Sequence, residues 1–338
     1  MRNKEKETIL LGHGSGGRLT HELIRDVFLE KLANPVLGFL GDSGILPETE
    51  GRIAITTDSF VVSPLFFAGG DIGTLAVNGT VNDLAVSGAI PKYLSLGAII
   101  EEGFPVADLK RIVSSIARSA EESGVIVVAG DTKVVERGKG DGLFLSMSGT
   151  GIMRNGYPPQ RPPGPGDSVI VSGPVGDHGA VILASRAHLE TADSFGSDCA
   201  AVTSLVQALF DEGIVPRFMR DPTRGGLAGV LCDLAQDTSA GVEVMEQHVP
   251  VKPEVETICN ITGVDPLYLA CEGRVVAVVD SSQSDRAVDV WKRSGAGDGA
   301  ACIGKLTDNE RGRVIIRTRY GGARHLMRLT SEILPRIC

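Results

Sequence analysis

A chain of 338 residues with 42% apolar side chains is long enough for two domains of ordinary size, each with its own core. A formal charge of −9 and an aromatic content of 4% exclude a surface built to neutralise phosphates along a nucleic acid or to stack its bases. Such a composition favours a small ligand or another protein as partner.

The charged start, Met1 to Glu7, leads to only Ile9-Leu10-Leu11 before glycines begin, which is no secretory signal. No apolar run reaches membrane-spanning length, so a soluble, cytoplasmic protein is expected. A short strand is expected over 8–11, and a strand over 53–62 interrupted at Thr57-Asp58-Ser59. Asp71 suits the N-cap of a helix running toward Gly88. That helix carries Asn78, Asn82 and Asp83, more polar groups than a purely structural helix needs. Pro105 opens an amphipathic helix with Leu109, Ile112, Val113 and Ile116 on one face and Gly124 as its stop. A short buried strand over 125–129 follows.

Five prolines between 154 and 166 form a stiff connector, and the domain boundary is expected there. The division is a first α/β domain over 1–153, a linker over 154–166, a second α/β domain over 167–320 and a mobile tail over 321–338. The second domain is read as strands over 167–172, 241–244, 274–279 and 313–318, with helices over 180–187, 200–210 and after Arg224-Gly225-Gly226. Residues 325–334 read as a short helix, with Leu326, Leu329 and Ile333 on one side. Beyond it, Pro335 stops any helix and leaves Arg336, Ile337 and Cys338 projecting. The cysteines at 199, 232, 259, 271, 302 and 338 form no Cys-x-x-Cys pair and no zinc spacing. A reducing compartment follows, and a thiol at the chain end can swing into a site or be handed to a partner.

Nucleotide motifs are weak individually. Gly12, Gly14 and Gly17 match a dinucleotide fingerprint formally, but no βαβ unit follows. Gly14-Ser15-Gly16-Gly17-Arg18 reads better as a loop that closes over phosphates. The run from Gly299 imitates a phosphate loop, yet Leu306 stands where the metal-binding hydroxyl belongs. The stronger signal is repetition of aspartates among small residues: Asp42, Asp58, Asp83, Asp131 and Asp221. Each alone suits a turn or cap. Convergent carboxylates require compensation, and oxygen ligands beside polyphosphate suit magnesium.

Several blocks resemble the HypE family of hydrogenase maturation proteins. They are Gly12-His13-Gly14-Ser15-Gly16-Gly17-Arg18, Thr56-Thr57-Asp58-Ser59, Gly70-Asp71-Ile72-Gly73 and Asn78-Gly79-Thr80-Val81-Asn82-Asp83. Gly130-Asp131-Thr132-Lys133, Gly176-Asp177-His178-Gly179, Arg220-Asp221-Pro222-Thr223-Arg224-Gly225-Gly226 and Pro335-Arg336-Ile337-Cys338 continue the pattern in family order. The aspartate blocks alone fit the wider superfamily of aminoimidazole ribonucleotide synthetase and selenophosphate synthetase; the terminal tetrapeptide narrows it.

The resemblance implies a two-domain aminoimidazole ribonucleotide synthetase-like α/β (α+β) fold, with first domains pairing into a barrel in a homodimer. It implies a carbamoyl dehydratase that uses ATP to turn an S-carbamoyl group on Cys338 into S-cyanate, the source of the iron's cyanide ligand in nickel–iron hydrogenase. Implied partners are the carbamoyltransferase HypF and the HypC–HypD scaffold. Magnesium is implied on Asp42, Asp58, Asp83 and Asp221, and the nucleotide also on Asn78, Thr80, Asp131, Gly16 and Gly17. Glu272 is implied as the base and Lys133 as the cation beside the amide. Two alternatives stay open: a non-catalytic ATP-binding adaptor, and a selenophosphate synthetase-like enzyme. The second is disfavoured because no cysteine precedes Cys199.

Overall fold

In the computed structural model, which describes residues 8–39, 43–190, 195–329 and 334–338, two α/β halves flank the proline-rich connector. The first opens with a 3₁₀ turn (Leu11–Gly14) and a helical arm: α1 (Arg18–Leu23), a π-helical stretch (Ile24–Leu29) and α2 (Glu30–Leu32). Strand β1 (Ile53–Phe60) and a small ribbon of β2 (Phe66–Phe67) and β3 (Gly70–Asp71) lead into helix α3 (Ile72–Val86). Then come β4 (Ala89–Glu101), helix α4 (Val106–Glu122), β5 (Ile126–Val135) and β6 (Leu143–Met153). The four long strands form one sheet in the order β1-β6-β4-β5.

Alternation along β1 places Thr56, Asp58 and Phe60 on the side of α3 and Ile53, Ile55, Thr57 and Ser59 on the open side. That open face is apolar in part, with Ile53 66% and Ile55 76% exposed. Helix α3 is buried along nearly its whole length because the sheet covers one side and the second half covers the other. Its start is set by Asp71, whose Oδ1 accepts the Gly73 and Thr74 amides at 2.9 and 3.0 Å. The other oxygen accepts the Ser115 hydroxyl at 2.6 Å, tying α3 to α4. Asp71→Ala is expected to cost about 2–3 kcal/mol in urea unfolding, a lost cap plus orphaned buried donors. A loss below about 0.5 kcal/mol would show that the cap is dispensable.

The second half contains β7 (Ser168–Val171), α5 (Asp177–Arg186), α6 (Thr203–Asp211), β8 (Phe218–Arg220) and α7 (Gly226–Thr238). It continues through β9 (Gly241–Met245), α8 (Pro253–Thr262), β10 (Val276–Val279), α9 (Ser284–Arg293), β11 (Ala301–Thr307), β12 (Val314–Arg317) and β13 (Ala323–Leu326). These strands form a sheet in the order β13-β12-β9-β11-β7-β10-β8. Its inner strands β7 and β10 are buried on both faces, which is why they read as valine-rich, nearly continuous apolar runs. Val169, Val171, Val276 and Val278 pack with α7, whereas Ile170, Ala277 and Val279 pack with α6 and α9 around Trp291.

Several expectations change. Residues 8–11 form no strand: Thr8 makes one bridge to Pro105, and Ile9 exchanges backbone hydrogen bonds with Gly103 and Phe104. Strand β1 is not interrupted at Thr57-Asp58-Ser59, because Thr57 and Ser59 point to its open face while Asp58, on the α3 side, lies beside Asp83. Strand β5 runs through Asp131 and Lys133 rather than ending at 129, paired in parallel with β4. The expected helix over 325–334 is not formed at its start: His325 and Leu326 belong to β13, where Leu326 fills the core. Residues 330–333 of that expectation lie outside the described residues. The last residues do not project freely. They are docked on the body of the protein, as described next.

Candidate active site

The site is assembled from four acids that the chain delivers on separate elements. Asp58 comes from β1, Asp83 from the last turn of α3, Asp221 from the loop after β8, and Glu272 from the loop before β10. The Thr56 hydroxyl donates to Asp83 Oδ2 at 2.7 Å. The Asp58 carboxyl is pushed up to about 6, first by burial, then by the charge and hydrogen bond of Asp83, against the pull of Arg224. Asp221 is pushed up to about 7, by burial first and then by the charges of Asp83 and Asp58. Burial raises Glu272 well above the usual carboxylate range, and Asp221, Asp198, Asp58 and Asp83 add to it.

Close backbone packing makes this convergence possible. The Cys271 amide donates to Pro222 O at 2.9 Å, joining the Asp221 and Glu272 loops. The Glu272 amide donates to Asp198 Oδ1 at 3.1 Å, and its carbonyl accepts from Asn82 Nδ2 at 3.2 Å. Gly273 has no room for a side chain, since a Cβ there would strike the Asp198 carbonyl. Gly226, at φ +60°, would place a Cβ 2.5 Å from Leu269 O. Glu272 is itself 2% exposed, and its Oε1 has no hydrogen-bond partner among the described residues. Burial and the neighbouring acids favour the protonated form of this carboxyl, which becomes a strong base once it ionises.

The C-terminus forms another wall. Residues 336–338 run beside 61–63: Val61 N donates to Cys338 O at 3.0 Å and Ser63 N to Arg336 O at 3.3 Å. Arg186 clamps the pair, donating to Ser63 O, Pro335 O and Arg336 O at 2.8, 2.7 and 2.6 Å. Arg336 returns a bond to Val61 O at 2.9 Å and pairs with Asp141. His178 Nε2 lies 2.8 Å from Ile337 O, and its Nδ1 lies 2.8 Å from Ser197 Oγ. Burial pushes His178 down to about 4, so the ring is neutral at neutral pH and donates from Nε2 while accepting the Ser197 hydroxyl. The Ile337 side chain is buried and shares a cavity of about 500 Å³ with Asp221, Thr223, Arg224 and Ala270.

Other residues expected at the site fall elsewhere. Asp131 and Lys133 form an exposed ion pair on β5, with Nζ 2.7 Å from Oδ2. They pair with Gly97 and Ile99 of β4, on the open face, and β5 lies three strands from β1, about 14 Å. One chain therefore does not bring Lys133 to Glu272. Gly16 borders a smaller cavity of about 210 Å³ together with Leu96, Val127, Asp131 and Lys133, and Gly17 directly precedes α1. Thr80 faces the sheet, its hydroxyl on Ala76 O. Asn78 points toward Cys199, with Nδ2 3.7 Å from Sγ. Asp42 lies outside the described residues.

Sequence reasoning left His178 without a role and did not single out Arg186 or Asp198. His178 stood in a glycine block and could have been read as functional; Arg186 and Asp198 carry no local signal. Among the described residues no group of three acids, histidines or cysteines forms a ready metal cage. The acids are oxygen donors, and burial with neighbouring charge suppresses ionisation of Asp58, Asp221 and Glu272, which suits a hard divalent cation completed by phosphate oxygens.

The chain matches the family model of the AIR synthase related protein N-terminal domain over residues 40–153 and that of the C-terminal domain over 164–317. It is 43% identical over 347 residues to a carbamoyl dehydratase HypE of Azotobacter vinelandii, covering 100% of this chain and 98% of that protein. It superposes on the crystal structure of a hydrogenase maturation protein HypE in complex with ATP with a TM-score of 0.93 and 43% identity, covering 98% of this chain and 100% of that one. The HypE of a HypE–HypF complex matches with a TM-score of 0.79 and 42% identity, over 91% of this chain and 99% of that one.

Proposed function

The chain belongs to the HypE carbamoyl dehydratases of the AIR synthase related family, and from that premise we propose that its acidic site dehydrates a carbamoyl group carried on Cys338. The observation that carries the reading is the docked C-terminus, which lays Ile337 against the same cavity as Asp221. ATP supplies the phosphoryl group that makes the amide oxygen a leaving group. His178 and Arg186 hold the tail carbonyls, so the terminal side chain is presented rather than searching. The carbamoyl nitrogen gives up its first proton to solvent as its oxygen is phosphorylated, and Glu272 accepts the second as phosphate departs and the carbon–nitrogen triple bond forms. Asp58, Asp83 and Asp221 would hold magnesium against the phosphates, joined by Asp42, while Asp131, Gly16 and Gly17 would serve the nucleotide, and Lys133 the amide, from the β5 edge of a second copy of the chain.

A HypF-type carbamoyltransferase loads the thiol, and a HypC–HypD-type scaffold receives the cyano group. Both require Cys338 to leave its docked position. Two chains pair through the open face of the first sheet, where Ile53 and Ile55 need cover. Intact-mass analysis after incubation with the carbamoyltransferase, carbamoyl phosphate and ATP should show carbamoyl addition, then loss of water at the terminal peptide. A competent donor that leaves Cys338 unmodified would overturn the reading.

Arg186→Ala removes two hydrogen bonds to the tail carbonyls, about 2 kcal/mol at ~1 kcal/mol each. Alkylation of Cys338 is expected to accelerate by about tenfold or more; an unchanged rate would show that Arg186 does not retain the tail.

The acid cluster also sets a pH dependence. Asp58 and Asp221 have folded values, about 6 and about 7, above the unfolded carboxylate value. Their contribution to stability is complete below pH about 4 and is lost as pH rises through 6 to 7. Magnesium competes with those protons, so its stabilisation should be larger at pH 8 than at pH 5.5. Thermal melts at both pH values test this, and an equal magnesium effect would remove these acids from the cation site.

A further inference from the structure

On the other side of Asn78 and Cys199 from Glu272 lies a larger cavity of about 920 Å³ that the dehydration chemistry does not use. Its walls are the first two turns of α3, one face of α4 and the segment entering α6. Helix α4 contributes Arg111 and Arg118, seven residues and about 10.5 Å apart on one face. Neither has a carboxylate within ion-pair distance among the described residues, whereas the buried Asp198, next to the lining residue Cys199, is held by Arg274. The Arg111 guanidinium sits 4.1 Å over the Phe66 ring, which fixes its plane and leaves its N–H groups for another partner.

The opposite wall is the start of α6, with Thr203 and Ser204. No side chain caps that helix, and the Val202 amide before it is taken by Asn82 Oδ1 at 2.8 Å. The positive end of a helix, two hydroxyls and two unpaired guanidinium groups therefore face one polar space. Two acids belong to the lining. Asp71 is already engaged by two amides and the Ser115 hydroxyl, and Glu122 stands exposed in the last turn of α4.

We propose that this interdomain cavity binds a small phosphate-bearing anion, with Arg111 and Arg118 gripping the phosphate opposite the α6 N-terminus, apart from the nucleotide site. Guanidinium forks and helix amides match tetrahedral oxygens, and the volume leaves room for an organic group beyond the phosphate.

The test is calorimetric titration of the full chain, saturated with ADP and magnesium to occupy the nucleotide site, with inorganic phosphate and with glycerol 3-phosphate. Saturable binding that weakens at least tenfold in Arg111→Gln/Arg118→Gln, with an unchanged melting temperature, supports the site. No saturable binding by the parent chain, or equal binding by the double variant, overturns it. Should the double variant fail to fold, Arg118→Gln alone is expected to weaken binding at least threefold, and no change would overturn the proposal. ATP-dependent water loss at the terminal peptide should persist in these variants. That separates failure of this site from failure of the dehydratase reading.

Discussion

A chain carrying serine in place of Cys338 is expected to lose ATP-dependent dehydration at its terminus entirely, a fall of at least about 10³-fold, while still folding and binding ATP. The reason is chemical rather than structural. A thiol is partly ionised near neutral pH and a serine hydroxyl is not, so the carbamoyl group has no acceptor. The backbone docking contacts survive the change, because those made by the oxygens of Pro335, Arg336, Ile337 and Cys338 do not depend on sulfur. Intact mass reports the chemistry, and a binding titration with the carbamoyltransferase reports the association. Retained partner affinity with no modification would exclude a purely adaptor role. Modification of the serine variant at the parent rate would remove Cys338 from the mechanism.

Glu272→Gln is expected to separate the two half-reactions. Carbamoylation should proceed at the parent rate, because it takes place with the tail away from this site. Dehydration should fall by about 10²–10⁴-fold, the range for removing a general base. The substitution is nearly isosteric, and the backbone bonds of Glu272 to Asp198 and Asn82 do not depend on its carboxyl, so the fold should hold. Because the folded carboxyl is raised far above its ordinary value, the parent rate should climb as pH rises and Glu272 ionises. The variant should lose that limb. A carbamoylated intermediate that dehydrates at the parent rate, or a variant that keeps the same pH profile, would take the base role from Glu272.

Much of the chemistry was legible in the sequence because it resides in local patterns. Asp71 was read as a helix cap and caps α3. Alternating and continuous apolar runs marked β9, β10 and β12, and the glycines after Arg224 marked the start of α7. Strands β4 and β6 and helices α8 and α9 were not singled out, since their patterns are blurred by proline, glycine or charged residues. Thr57-Asp58-Ser59 looked like a break in β1. Whether they interrupt a strand depends on what each face meets, an open side for Thr57 and Ser59 and the neighbouring acids for Asp58, which no local window records.

The amino-acid sequence by itself determined the family and the terminal thiol, and it pointed to Asp58, Asp83 and Asp221 through their local blocks and to Glu272 through the family resemblance. Only the tertiary structure decided which of these meet. Burial and mutual repulsion raise Asp58, Asp221 and Glu272 together, and that exists only once β1, β8 and the loop before β10 are packed. The same holds for the tail. Pro335-Arg336-Ile337-Cys338 reads as a projecting end, yet it docks, because carbonyl acceptors in the tail meet donors on Arg186, His178, Val61 and Ser63 from distant parts of the chain. Asp131 and Lys133 share one short motif and stay together, whereas the two intervening strands β6 and β4 hold them away from Asp58. Proximity in sequence fixes chemistry within a few residues; proximity in space, and the dielectric that goes with it, is a product of packing.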